Sequence, residues 1–107
     1  MELSELKKKK VLVFAATYNE AENISKFINS IFNHNNNVDV LIIDDNSPDK
    51  TANIIQELKQ KFNRINLIIR KGKLGLETAH KDAYNYALKN NFDYLITMDA
   101  DLSHDPT

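Results

Sequence analysis

At 107 residues the chain is one domain's worth, enough for a modest core and small for an enzyme with a deep two-substrate cleft. Its 14 Lys and Arg are balanced by 15 Asp and Glu, which leaves no global basic field for nucleic acid, and the absence of Cys removes disulfides, thiolate chemistry and Cys-based zinc sites. No apolar stretch approaches the roughly 18 residues of a membrane span or resembles a signal peptide's apolar region, so the expected location is cytosolic.

The basic run Lys7-Lys8-Lys9-Lys10 precedes the first apolar segment. Such a cluster can touch anionic lipid or RNA, but solvating the start of a strand is the plainer role. Residues 11–15 then form a short apolar run rich in β-formers, predicted as a strand buried on both faces. Asn19, with Glu22 three positions on, predicts a capping-box start for a helix. Ile24, Phe27, Ile28, Ile31 and Phe32 supply its apolar stripe.

Residues 38–43 are a second apolar strand ending on Asp44-Asp45. Ser47 is a candidate N-cap, with Pro48 at the first helical position and Asp49 in the first turn. Ile54, Ile55, Leu58 and Phe62 give that helix its buried face, and residues 65–69 a third strand. A loop containing both glycines, Gly72 and Gly75, leads to a third helix, in which Ala79, Ala83 and Ala87 form a small-residue stripe suited to close packing. Residues 94–98 make the fourth strand, followed by Asp99-Ala100-Asp101.

Strands alternating with helices imply an open, mostly parallel α/β sheet, for which the expected strand order is 3-2-1-4. Ligands in such sheets bind beyond the carboxyl ends of the strands, where the order reverses. That rule gathers Thr17-Tyr18-Asn19-Glu20, Asp44-Asp45-Asn46-Ser47 and Asp99-Ala100-Asp101 on one rim. Side chains alternate along an extended chain, so Asp99 and Asp101 are expected on the same side. Paired carboxylates suit Mg²⁺ or Mn²⁺, which keep other coordination positions for water and a substrate's phosphates.

Plainer roles compete with each of these. Asp44 and Asp45 can satisfy the free backbone donors of a helix-start turn, worth about 1 kcal/mol, or one of them can accept from a nucleotide's base or ribose. Tyr18 can stack on a base or be a half-buried aromatic. Arg70-Lys71-Gly72-Lys73 can meet phosphate, although a solvated loop is the simpler expectation, and His104 fits an ordinary turn better than a metal site. A dinucleotide fold would need Gly-x-Gly-x-x-Gly after the first strand, and no glycine precedes Gly72. A phosphoacceptor signalling domain resembles a pattern with its acidic pair after strand one and a lysine after a fifth strand, and neither is present.

Four stretches in register resemble the N-terminal half of family 2 glycosyltransferases, specifically the dolichol-phosphate or polyprenyl-phosphate mannosyltransferase group. They are Thr17-Tyr18-Asn19-Glu20-Ala21-Glu22-Asn23-Ile24, Ile43-Asp44-Asp45-Asn46-Ser47-Pro48-Asp49, Gly72-Lys73-Leu74-Gly75-Leu76-Glu77-Thr78-Ala79 and Met98-Asp99-Ala100-Asp101-Leu102-Ser103-His104-Asp105-Pro106. The resemblance implies a GT-A nucleotide-diphospho-sugar transferase fold, GDP-mannose as donor and a dolichyl or polyprenyl phosphate acceptor, with inversion at the sugar carbon. Carried over by position, Ala16, Tyr18, Glu20, Ile43, Asp45, Asp99, Ala100 and Asp101 would line the nucleotide-sugar site. Asp99 and Asp101 would be catalytic through Mg²⁺ or Mn²⁺, with Ser103 near the metal.

The chain departs from the family's pattern at Ala16, where Pro is usual, and at Glu77, where Gly is usual. The family's downstream segments have no counterpart in residues 1–107, so the resemblance implies an incomplete domain, the donor-binding half of the enzyme. It also implies work at the cytosolic face of a membrane, and the fourth strand is expected to be an exposed edge open to self-association. A family 2 transferase using another nucleotide sugar such as UDP-glucose, and a non-catalytic nucleotide-binding remnant, are the alternatives.

Overall fold

The structure, a computed structural model, describes residues 10–34, 37–47, 50–71 and 75–98. In chain order the elements are β1 (Val11–Thr17), α1 (Ile24–His34), β2 (Val38–Asp44), α2 (Thr51–Lys61), β3 (Ile65–Ile69), α3 (Leu76–Lys89) and β4 (Tyr94–Thr97). The four strands lie in the order β3-β2-β1-β4, as expected from the sequence, and every pairing is parallel.

Alternation along the strands divides the core into two layers. Val13 and Ala15 of β1, with Val40 and Ile42 of β2, turn to one face and pack on Ile24, Phe27, Ile28 and Ile31 of α1 and Ile55 of α2. Leu12, Phe14, Leu41 and Ile43 turn to the other face, where Ala79, Ala83 and Ala87 of α3 cover them. The predicted stripes are therefore the buried ones. Phe32, Ile54, Leu58 and Phe62 close the first layer at its margin, with the Phe32 and Phe62 rings stacked at 4.6 Å between centroids.

The small-residue stripe lets α3 approach the sheet closely. Ala83 is completely buried, so a larger side chain has nowhere to go without moving the helix. Ala83→Leu is expected to cost about 1–3 kcal/mol by overpacking, read as a lower urea midpoint at an unchanged slope.

Two helix starts differ from the sequence expectation. Asn19 has φ 58°, outside the extended geometry of an N-cap, and its N–H donates to Ser47 Oγ at 2.8 Å. The chain instead turns once more, the Glu20 carbonyl accepts from Asn23 and Ile24, and α1 begins at Ile24. Ser47 does not cap α2, which starts at Thr51 after Lys50 at φ 70°; Pro48 and Asp49 lie outside the described residues.

Lys10 is more than solvation for β1. Its N–H donates to Asp93 Oδ2 at 2.8 Å, its Nζ donates to the Asn90 carbonyl at 2.8 Å, and the same ammonium sits 4.5 Å from the Phe92 ring centroid. These contacts clamp the entry to β4 against the start of β1. Beyond that point β4 is an edge strand among the described residues, with Tyr94 and Ile96 about half exposed. Lys7, Lys8 and Lys9 are outside the described residues.

Candidate functional site

The ladder hydrogen bonds carry the polar clusters to the carboxyl rim. Asp45 donates its N–H to the Thr17 carbonyl at 3.1 Å, and Arg70 donates its N–H to the Asp44 carbonyl at 2.8 Å. The ends of β1, β2 and β3 therefore stay in register one residue beyond the strands themselves. Met98 donates to the Phe14 carbonyl at 2.9 Å, which brings the chain up beside β1 just before Asp99 in sequence.

The two adjacent aspartates face opposite ways and have different tasks. Asp44 is completely buried. Its Oδ1 accepts from Thr17 Oγ1 and Ser47 Oγ, both at 2.6 Å, and its Oδ2 accepts the Ser47 N–H at 2.9 Å. Ser47 Oγ in turn accepts from Asn19, and Thr51 Oγ1 accepts the Glu20 N–H at 3.0 Å. Asp44 thus ties the loop after β1 to the loop after β2, which is the turn-satisfying role weighed from sequence.

Asp45 faces the α3 side, where Arg70 meets it as a two-pronged fork. Arg70 Nε donates to Oδ1 at 2.6 Å and Nη2 donates to Oδ2 at 3.0 Å. Nη1 donates to Thr78 Oγ1 at 2.8 Å and to Asp82 Oδ2 at 3.2 Å, while Nη2 also donates to the Gly75 carbonyl at 3.0 Å. A guanidinium has five N–H donors, so these five bonds use all of them. Pairing with Asp45 raises the Arg70 pKa against the lowering effect of burial, with Asp82 adding to the rise. The expected solvated loop at Arg70 is thereby corrected, because its side chain is only 6% exposed and is saturated by protein acceptors.

Gly75 has φ 96°, a conformation that favours glycine, and this sets its carbonyl where both Arg70 and Thr78 reach it. The signal for this network was present in the sequence as Thr78 and Asp82, four apart on one helical face, and as a cation just past the edge strand β3, whose neighbour β2 ends on acidic residues. Neither pattern is specific to such a network, because both are common in exposed helices and strand ends.

Of the other candidate residues, Ala16 and Glu20 are half-buried and Tyr18 is 39% exposed beside them. Ile43 is completely buried in the layer under α3, on the same side of the sheet as Asp45. Glu77 is exposed and lines a shallow 630 Å³ groove between α3 and β4, together with His80, Lys81, Tyr84, Asn85 and Leu95. Asp99, Ala100, Asp101, Ser103 and His104 lie outside the described residues, as do Gly72, Lys73 and Leu74.

A parallel sheet of order 3-2-1-4, with the acidic end of β2 next to the end of β1, is an open α/β arrangement, and in detail it is the GT-A fold of glycosyltransferases. A family model described as glycosyl transferase family 2 matches residues 12–107, and the chain belongs to that family.

Among its relatives, polyprenol monophosphomannose synthase of Mycolicibacterium smegmatis is 34% identical over 98 residues, covering 91% of this chain and 37% of that protein. Dolichol-phosphate mannosyltransferase of Pyrococcus furiosus is 36% identical over 99 residues, covering 91% of this chain and 27% of that protein. The chain therefore spans well under half the length of these curated relatives.

Among solved structures, the mannosyltransferase PcManGT from Pyrobaculum calidifontis, in complex with GDP-Man and Mn²⁺, superposes with a TM-score of 0.72 at 22% identity, over 89% of this chain and 29% of that one. TarS of S. aureus, residues 1–349 in complex with UDP, superposes with a TM-score of 0.70 at 24% identity, over 86% of this chain and 27% of that one. At these identities the likeness establishes the fold, and the two neighbours hold nucleotides with different bases.

Proposed function

We propose that this chain is the donor-binding part of a glycosyltransferase that moves mannose from GDP-mannose to a dolichyl or polyprenyl phosphate. The observation that carries the reading is the convergence of the β1, β2 and β3 ends, with Asp45 among them, on one rim of a family 2 sheet. The mannosyltransferase relatives favour mannose and a lipid phosphate over other donors and acceptors.

In this reading Tyr18 and Glu20 flank the nucleoside, Ala16 and Ile43 shape the floor next to it, and Asp45 accepts from the base. Asp99 and Asp101, with Ser103, would hold Mg²⁺ or Mn²⁺. These three residues offer only hard oxygen donors, the set such ions prefer, and in sequence they follow Met98, whose N–H donates to the Phe14 carbonyl. A bound divalent ion supplies Lewis-acid stabilisation of the diphosphate leaving group.

The acceptor is a phosphate monoester with a second pKa of about 6, already dianionic near neutral pH, so the chain need not provide a strong base. An acceptor oxygen bonds to the sugar carbon as that carbon's bond to the β-phosphate oxygen breaks, and attack from the opposite side inverts the centre. A lipid acceptor places the protein at the cytosolic face of a membrane; no helix among the described residues is long and apolar enough to cross one. The edge of β4, unpaired among the described residues, is also a template for pairing with a second copy.

A UDP-sugar donor is the second reading, favoured by the UDP complex of the TarS neighbour. Loss of the acidic pair tests the metal assignment. Asp101→Asn, and separately Asp99→Asn, are expected to reduce the Mn²⁺ enhancement of GDP binding about tenfold or more with an unchanged circular dichroism spectrum. Unaltered Mn²⁺ dependence in both variants contradicts the assignment.

A further inference from the structure

We propose that Arg70 is a positioning residue for base recognition, acting through Asp45; this deepens the donor-binding reading and rests on it. A carboxylate on its own can rotate and offer either oxygen in several directions. Here each Asp45 oxygen already accepts one Arg70 N–H, in two parallel bonds of 2.6 and 3.0 Å. Such a pair fixes the carboxylate plane as well as its charge.

The guanidinium is itself immovable. Its remaining donors are held by Thr78, Asp82 and the Gly75 carbonyl, so the N-terminal turns of α3 anchor the arginine that orients an aspartate on β2. Arg70 has no N–H left for a phosphate, which rules it out as a direct anion ligand in this arrangement. Its contribution to a ligand passes through Asp45.

The fork also limits what Asp45 can read. A carboxylate has about four acceptor positions, two of which Arg70 occupies. The positions left face away from the guanidinium, one per oxygen, and the Asp45 side chain is 11% exposed, so a ligand approaches through a narrow opening. A base edge can therefore donate an N–H to one Asp45 oxygen at an outward position, but cannot form a second two-bond fork like the one Asp45 shares with Arg70. Base preference then depends on holding those outward positions still.

Calorimetric titration of GDP and UDP, in the presence of Mn²⁺, into the wild-type chain, R70K, R70Q, D45N and the R70Q/D45N double variant tests the role. R70K keeps the charge but cannot make the planar fork. Both Arg70 variants are expected to bind GDP about tenfold more weakly, the loss of one well-placed charged hydrogen bond, and to lose preference between the two nucleotides. The double variant is expected to be no weaker than D45N alone, since both changes remove the same interaction.

A change confined to stability would weaken both nucleotides equally, and such a uniform loss overturns the proposal. So does folded R70K with wild-type affinity and preference, or a double variant in which the two losses multiply. Where the wild-type chain binds neither nucleotide, the donor-binding reading itself falls and takes this role with it.

Discussion

Arg70→Met is expected to destabilise the chain by about 3–5 kcal/mol, because it leaves the Asp45 carboxylate buried without its counter-ion. The Asp82 carboxylate is half exposed and can return to water, so the penalty comes from Asp45. Asp45→Leu combined with Arg70→Met removes both charges and is expected to recover most of the loss, since replacing a buried pair with apolar groups is often close to neutral. Urea denaturation of the two single variants and the double measures this directly. A double variant as unstable as Arg70→Met alone would mean that the fork's other partners, Thr78 and the Gly75 carbonyl, dominate its contribution.

Asp44→Ala is the second large effect. It removes the acceptor for two hydroxyls and one backbone N–H at a completely buried position, and buried donors without partners cost about 1–3 kcal/mol each. Some relaxation is available because Ser47 lies near the surface, so a net loss of about 3–4 kcal/mol is expected. For a domain whose total stability is about 5–15 kcal/mol, this approaches unfolding at physiological temperature. The same change frees the loop carrying Tyr18, Asn19 and Glu20, so nucleotide affinity is expected to fall along with the melting temperature. Asp44→Asn retains an acceptor and is expected to lose less of both.

The parts of the fold legible in the sequence are those set by periodicity. Ile24, Phe27, Ile28 and Ile31 repeat at helical spacing and are the residues that α1 buries. Ala79, Ala83 and Ala87 announced a close helix–sheet contact, and the alternation of strands and helices led to the observed 3-2-1-4 order. Helix starts were not legible, because Asn19 and Ser47 have competing partners. Ser47 is a good cap in isolation, but its hydroxyl donates to Asp44 and accepts from Asn19, contacts that exist only after β1 and β2 have come together.

The site was legible to a similar degree. Residue types at the strand ends identified the rim, yet composition treated Asp44 and Asp45 alike, and only strand alternation gives one to the loops and the other to Arg70. Arg70 was misread because its immediate neighbours, Lys71, Gly72 and Lys73, look like solvated loop, whereas its principal partner lies 25 residues earlier. Local polarity carries no information about such a contact.

Titrating GDP into the wild-type chain with and without Mn²⁺, and repeating the titration with UDP, asks whether this rim receives the nucleotide of a sugar donor. Saturable binding that requires Mn²⁺ and favours GDP is the expected result. Binding of neither nucleotide in the presence of Mn²⁺ would contradict it.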